Sequence, residues 1–416
     1  MQSLTVFLNE RRVGLLWQEG NGLAFRYDAD YLESSSPLPL SRHLPFPFGE
    51  LGKTFSDRET RAFFENLLPE GEVRAQLARA LGISRGNTFA LLSAIGGDCA
   101  GAVSVMPQDQ SPLADGGRRP ISDEELAERL DHLPDHPFLA DEEGVRLSLA
   151  GAQNKLPVCF DGRGFSLPIG RVPSTHILKI PIPNLADTVV NEAFCMTLAR
   201  RLGLQAPAAE VVALAGRRYF LVERYDRYSD AAGIQRRLHQ EDFCQALGIP
   251  PDQKYENEGG PGLKACFALV REWSSEPLPD AAALLDWTLF NFLIGNADAH
   301  GKNIAFLYRP EGVRLAPFYD LISTAVYERV NNKFAMRFGG EKDPRYLLPI
   351  HLERFAGEIG VGLRFAKRRL QTLAAEISRQ AVALADEYRR DLSNPVIIRR
   401  LLDVIDQRTG KVRLLL

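Results

Sequence analysis

The stretch from Leu284 to Asp320, LLDWTLFNFLIGNADAHGKNIAFLYRPEGVRLAPFYD, constrains the fold more than any other part of the chain. From Leu284 to Ile294 nearly every position is apolar, with Asp286 and Asn291 as the few polar residues, so no polar face is left for solvent. A helix of that composition belongs inside a large core. Gly295 ends it, since glycine readily adopts the left-handed cap conformation. Asp298-Ala-His-Gly-Lys-Asn303 follows, an acid and an amide at D-x-x-x-x-N spacing. The acid can accept the proton of an attacking hydroxyl, and the amide can hold Mg2+ through its neutral oxygen. Ile304–Tyr308 and Val313–Phe318 then read as two short strands around the turn Arg309-Pro-Glu-Gly312, and the second delivers Asp320. Loop, hairpin and second acid form the order of a phosphoryl-transfer site, with Phe318-Tyr319-Asp320 where kinases carry D-F-G. Each residue alone reads as a loop side chain capping a turn, and only the ordered set carries the inference.

At 416 residues and 45% hydrophobic content the chain can bury two or three cores. Its 50 basic and 53 acidic residues nearly cancel, which excludes a global basic field that would gather nucleic acid. Cysteines 99, 159, 195, 244 and 266 form no C-x-x-C pair and no zinc spacing, so they are expected as reduced, buried thiols. The N-terminus lacks a charged start followed by an apolar run, and no stretch is long enough to span a bilayer. The expected location is cytoplasmic, without a membrane partner.

Residues 1–30 alternate apolar and polar around two turns, predicting three strands of a small antiparallel sheet. Ser56-Asp-Arg-Glu59 is a capping box that opens a helix, and helices are also expected over Glu72–Leu81 and Thr88–Ile95. Pro107–Pro120 is rich in turn formers and is expected to be a linker, followed by a capped helix from Ser122. Val145–Phe160 reads as strand, small-residue loop and strand, the shape of a phosphate-covering hairpin. Its tip, Ala150-Gly151-Ala152, has a single glycine and by itself is a plain turn. Thr175–Ile180 places Lys179 near a strand end, where its ammonium could neutralise phosphates. Glu192, on a helix over Val189–Leu202, is a candidate ion-pair partner for Lys179, although an acid there also suits a helix N-terminus. Arg218–Arg224 is a strand whose end, Val222–Tyr225, could meet adenine through its backbone. Gln240–Leu247 and Leu263–Trp273 read as helices around a glycine-rich loop, Tyr255–Gly262. A long amphipathic helix over Arg364–Tyr388 and a short one over Ile397–Ile405, with Arg399 and Arg400 on the solvated surface, close the chain.

The pieces LSLAGAQNK (147–155), STHILKIP (174–181), VERYDR (222–227), QEDFCQALG (240–248), YENEGGPG (255–262), LIGNADAHGKN (293–303) and PFYD (317–320) resemble, in order, those of the HipA family. These are serine/threonine kinase toxins of bacterial toxin–antitoxin modules, and the resemblance spans nearly the whole chain, as in the full-length form. It implies an α+β, protein-kinase-like bilobal fold with an N-terminal subdomain of β-sheet plus helices and an all-α C-terminal lobe. The implied division is 1–106 for that subdomain, 107–140 for linker and helix, 141–228 for an N-lobe-like part, and 229–416 for the helical lobe. Asp298 would be the catalytic base, with Asn303 and Asp320 holding Mg2+. Ala150, Gly151, Ala152, Gln153, Lys155, Lys179, Glu223, Tyr225, His300, Lys302, Asn303 and Asp320 would bind ATP. Ser148 would be the autophosphorylation site that switches the enzyme off. Implied partners are a helix-turn-helix antitoxin, operator DNA reached mainly through it, and a protein substrate such as an aminoacyl-tRNA synthetase, whose phosphorylation stalls growth. Two other readings stand beside this one: a small-molecule phosphotransferase sharing the D-x-x-x-x-N spacing, and a non-catalytic scaffold that binds the antitoxin as corepressor.

Overall fold

The computed structural model describes residues 2–47, 49–50, 52–110, 116–135, 137, 148–170, 172–391 and 396–416. They divide into two compact units. The first comprises Met1–Ile180, Ala213–Asp252 and Leu307–Arg309, and the second Pro181–Val212, Gln253–Phe306 and Pro310–Leu416.

In the first unit the alternation of residues 1–30 becomes strands β1 (Ser3–Leu8), β2 (Arg11–Glu19) and β3 (Gly22–Tyr27), joined by β4 (Val103–Pro107) in the antiparallel order β3-β2-β1-β4. The expected capping box forms: the Ser56 hydroxyl and backbone N–H both donate to the Glu59 carboxylate, at 2.6 and 2.9 Å, and start the helix Asp57–Phe64. Helices Gly71–Ala80 and Thr88–Ile95 complete a core around Val6, Leu16, Phe25, Phe63, Phe64, Leu77 and Leu92, all fully buried. Truncating one of those phenylalanines to alanine would cost about 3–5 kcal/mol.

The linker expectation holds only in part. Residues 111–115 lie outside the described residues, but Gly117–Ile121 forms β5, paired antiparallel with β7 (Phe165–Ile169), with Arg118 opposite Pro168. Turn-forming residues disguise an edge strand, where a proline is tolerated because its missing N–H faces no partner. Between them comes the helix Asp123–Asp131, capped by Ser122. With β6 (Lys155–Phe160), β8 (His176–Lys179) and β10 (Arg217–Glu223), the order within this unit is β5-β7-β6-β8-β10. Strand β9 (Ala209–Leu214) carries the chain back from the second unit. A hairpin of β11 (Arg227–Ser229) and β12 (Gln235–Arg237) precedes β13 (His239–Asp242). The helix expected from Gln240 starts only at Phe243, because Asp242 and Gln245 form a capping box that leaves residues 239–242 extended.

The second unit is built on the buried helix Pro277–Ile294, in which Trp287, Leu289 and Phe290 are at most 1% exposed. Its polar Asp286 is an ion-pair partner of Arg369 on the long helix Leu363–Asp391. Helices Thr188–Arg201, Leu263–Trp273 and Pro349–Glu358 complete the unit with Val396–Leu415. The last was expected to be short, but the buried Val412 and Leu415 continue its apolar stripe past Gly410. Strands β14 (Ala305–Arg309) and β15 (Gly312–Leu315) form the expected hairpin, so the C-terminal half carries strands beside its helices. Asp280 ties β15 down, accepting from the Arg314 guanidinium at 2.9 Å and the Leu315 N–H at 2.9 Å. All five cysteines are buried free thiols, and among the described residues no helix is long and apolar enough to cross a membrane.

Glu241, on β13, is fully buried and accepts from the Ser41 hydroxyl at 2.6 Å, the Arg42 N–H at 3.1 Å and the Tyr308 hydroxyl. Burial pushes its carboxyl up to about 7, and the hydroxyls of Ser41 and Tyr308 pull it only partly back. A carboxyl raised on folding contributes stability that is complete below its unfolded pKa, near 4.5, and is lost as pH rises through about 7. Glu241→Gln should therefore gain on the parent by roughly 1–3 kcal/mol between pH 5.5 and pH 8.5 in urea titrations. Parallel pH dependence of the two proteins would contradict this.

Candidate active site

In the second unit the buried helix ends at Gly295 in the left-handed conformation, with φ 70°. A chain of amides runs from it into the loop. The Asn291 side chain donates to the Trp287 carbonyl at 2.9 Å and accepts from the Asn296 amide at 2.8 Å. The Asn296 oxygen in turn accepts the Asp298 N–H at 2.9 Å. The Asn303 amide donates to the Asp298 carbonyl at 2.9 Å, closing the loop on itself. Asn291, Asn296 and Asn303 are all buried, so each bond is shielded from competing water. Asp298 is thus gripped on both sides of its backbone while its side chain keeps 48% exposure. The Tyr255 hydroxyl donates to Asp298 Oδ1 at 2.5 Å, and His300, which is buried, has Nε2 3.8 Å from the same oxygen. Lys302 is buried beside them, and its carbonyl accepts the Tyr319 hydroxyl at 2.6 Å.

Asp320 itself adopts φ 53°, a region that non-glycine residues enter rarely and at a cost of about 1–3 kcal/mol. Its flanks are fixed. The Phe318 N–H donates to the Gln205 carbonyl at 2.7 Å, and Ser323 exchanges backbone bonds of 2.9 and 3.0 Å with the side chain of Asn191. The Thr324 hydroxyl accepts the Ala297 N–H at 2.8 Å, joining this segment to the loop of Asp298. Asn191 lies on the helix Thr188–Arg201 next to Glu192, which is 4% exposed. Asn303 and Asp320 supply neutral-amide and carboxylate oxygens, the hard donors that magnesium selects. Among the described residues no three His, Cys, Asp or Glu side chains cluster as a metal cage.

In the first unit, Val145–Leu147 of the expected hairpin lie outside the described residues, and Ser148–Ala150 are not in a strand. Ser148 is fully buried: its hydroxyl donates to the Leu67 carbonyl at 2.9 Å and its N–H to the Asp98 carbonyl at 3.2 Å. The Gly151 carbonyl accepts the Glu70 N–H at 3.0 Å. Gly151 has φ 110°, and a Cβ there would come within 2.7 Å of Lys155 Nζ, which donates to the Ala150 carbonyl. The positive φ favours glycine at this tip. Ala152 is exposed, and the Gln153 amide donates to the Ile180 carbonyl at 2.7 Å. Lys155 on β6 is in register with Lys179 on β8, and Lys179 Nζ lies 5.4 Å from the centre of the Phe220 ring. On β10, Glu223 is exposed, and Tyr225 beyond it is half-buried.

Arg224, Asp226 and Arg227 of VERYDR turn inward, an arrangement unpredicted from the sequence. Arg224, Arg227 and Arg237 surround Asp98 at 3.5, 2.7 and 3.2 Å, while Asp226 pairs with Arg224 and Arg227, both at 2.8 Å. Burial by itself would raise the Asp98 carboxyl, but the three guanidiniums outweigh it and hold it well below the usual carboxylate range. Burial, with the neighbouring Arg224 charge, pulls Arg227 down to about 10. The network pins the strand end that carries Glu223 and Tyr225. Three charges within four residues after a strand were the available signal.

The HipA N-terminal domain model matches residues 4–106, and the HipA-like C-terminal domain model matches 147–385. A putative kinase of Sinorhizobium fredii, Y4mE, is 43% identical over 418 residues, covering 99% of this chain and 98% of that protein. The serine/threonine-protein kinase toxin HipA of Shewanella oneidensis is 35% identical over 373 residues, 86% of this chain and 83% of its own length. A solved structure from Shewanella oneidensis, of HipA, HipB and operator DNA in complex, matches with TM-score 0.82 and 30% identity over 99% of each chain.

The left-handed backbone of Asp320 gives a stability prediction. Asparagine tolerates that region as aspartate does, through local hydrogen bonding of a short polar side chain that alanine lacks. Asp320→Asn should unfold close to the parent, and Asp320→Ala about 1 kcal/mol below Asp320→Asn in urea titration. An alanine variant as stable as the asparagine variant would contradict the strain.

Proposed function

This chain belongs to the HipA family, and on that premise we propose how its residues carry out ATP- and Mg2+-dependent serine/threonine phosphorylation as the toxin of a toxin–antitoxin module. The observation that carries the reading is Asp298, held by amides at both its N–H and its carbonyl with a half-open carboxylate. A general base needs that combination of fixed backbone and accessible oxygen. Asp298 takes the proton of the acceptor hydroxyl as its oxygen bonds to the γ-phosphorus and the bond to ADP breaks. Asn303 and Asp320 would hold magnesium, which when bound neutralises charge on the phosphates. Lys179 is the phosphate-binding lysine of this reading. The loop Ala150–Lys155 covers the phosphates, Glu223 and Tyr225 flank the base, and His300 and Lys302 complete the nucleotide contacts.

Ser148 is the self-phosphorylation site in this reading. Its burial against the Leu67 carbonyl means that the loop must leave its place before the hydroxyl can react. A phosphoserine carrying about two negative charges cannot return there without losing its hydration, which keeps the loop out and the enzyme off. The antitoxin is a helix-turn-helix protein that brings the kinase to operator DNA, the protein substrate is an aminoacyl-tRNA synthetase, and the setting is cytoplasmic. The division at residues 106, 140 and 228 remains the proposed domain plan. The retained set Asp298, Asn303 and Asp320 argues against a scaffold without catalysis. A small-molecule phosphotransferase would phosphorylate free sugars or aminoglycosides.

Asp298→Asn should lower ATP-dependent phosphate transfer about 100- to 10,000-fold, the usual weight of a general base. Its unfolding free energy should stay within about 0.5 kcal/mol of the parent, because the substitution alters a half-exposed loop side chain. ADP release followed with labelled ATP measures the first and urea titration the second. Undiminished transfer in Asp298→Asn would overturn the assignment.

A further inference from the structure

We propose that Tyr255 is a positioning residue for the base, its phenol holding the Asp298 carboxylate in the orientation from which it takes the acceptor's proton. The inference rests on the reading of Asp298 as base. The amides of Asn296 and Asn303 fix the backbone of Asp298 but leave rotation about its side-chain bonds. At 48% exposure, packing alone does not stop that rotation. The hydrogen bond to Oδ1 from Tyr255, at 2.5 Å, acts on the carboxylate itself.

The phenol comes from a rigid part of the chain, which a positioning group requires. The Tyr255 carbonyl accepts two N–H groups, from Glu258 and Gly260, both at 2.9 Å. The next residue is tied at both ends: the Glu256 N–H donates to the Ala335 carbonyl at 3.1 Å, and its carboxylate accepts the Arg337 N–H at 2.5 Å. A Cβ on Gly260 would stand 2.3 Å from the Gln253 carbonyl oxygen, so the turn closes this tightly only with glycine. The ring lies edge-on to buried His300, with centroids 5.2 Å apart and planes at 82°. The glycines of YENEGGPG thus close the turn that supports Tyr255. Displacing a catalytic group by about 1 Å can cost 100-fold in rate.

Tyr255→Phe removes one oxygen and keeps the ring on His300. ADP formation from ATP and magnesium should be measured for the full chain, Tyr255→Phe, Asp298→Asn and the double variant, per folded molecule counted by nucleotide-site titration. Tyr255→Phe should lower kcat about 10- to 100-fold with KM for ATP within about twofold, and should add nothing to Asp298→Asn. A Tyr255→Phe rate equal to the parent overturns the inference, as does an equal further loss on the Asp298→Asn background or a change confined to KM. If Asp298→Asn alone keeps the parent rate, or the parent forms no ADP, the reading of the base falls and this inference with it.

Discussion

The buried amide chain from Asn291 through Asn296 to the Asp298 N–H is the interaction on which the second unit's chemistry depends. A polar residue inside an apolar helix is costly unless its bonds are satisfied, and here they are satisfied only if the loop takes one conformation. The helix core thereby dictates the place of a half-exposed carboxylate. Packing energy from Trp287, Leu289 and Phe290 is converted into positional accuracy a few residues later.

The same logic recurs with charge in the first unit. Asp98 and Asp226 among three arginines form a network in which every member is nearly dry, so removing one partner would strand an uncompensated ion. Such an arrangement is a poor source of net stability but a strong specifier of register. It holds residues 98–101 of the N-terminal region to the end of β10. Ser148 shares the device at lower charge, its buried hydroxyl and N–H both satisfied by backbone carbonyls of that region.

Much of this was legible in the sequence. The Ser56 capping box and the buried helix follow from local chemistry and spacing, and they appear where expected. Other features depended on partners far along the chain. The inward turn of Arg224, Asp226 and Arg227 is decided by Asp98, 126 residues away from Arg224, and Tyr255 reaches Asp298 across 43 residues. The strand β5 hid in a turn-rich segment because its pairing is supplied by β7, not by its own composition. The last helix outran its expected end because Gly410 lowers helix propensity without breaking a stripe that Val412 and Leu415 still bury.

The most direct test of the account is site-resolved mass spectrometry of the purified chain after incubation with ATP and magnesium, beside an Asp298→Asn control. The account predicts a phosphate on Ser148 in the parent and none in the control. An unmodified Ser148 in a parent that consumes ATP would contradict the switch, and a phosphate that persists in the control would contradict the base.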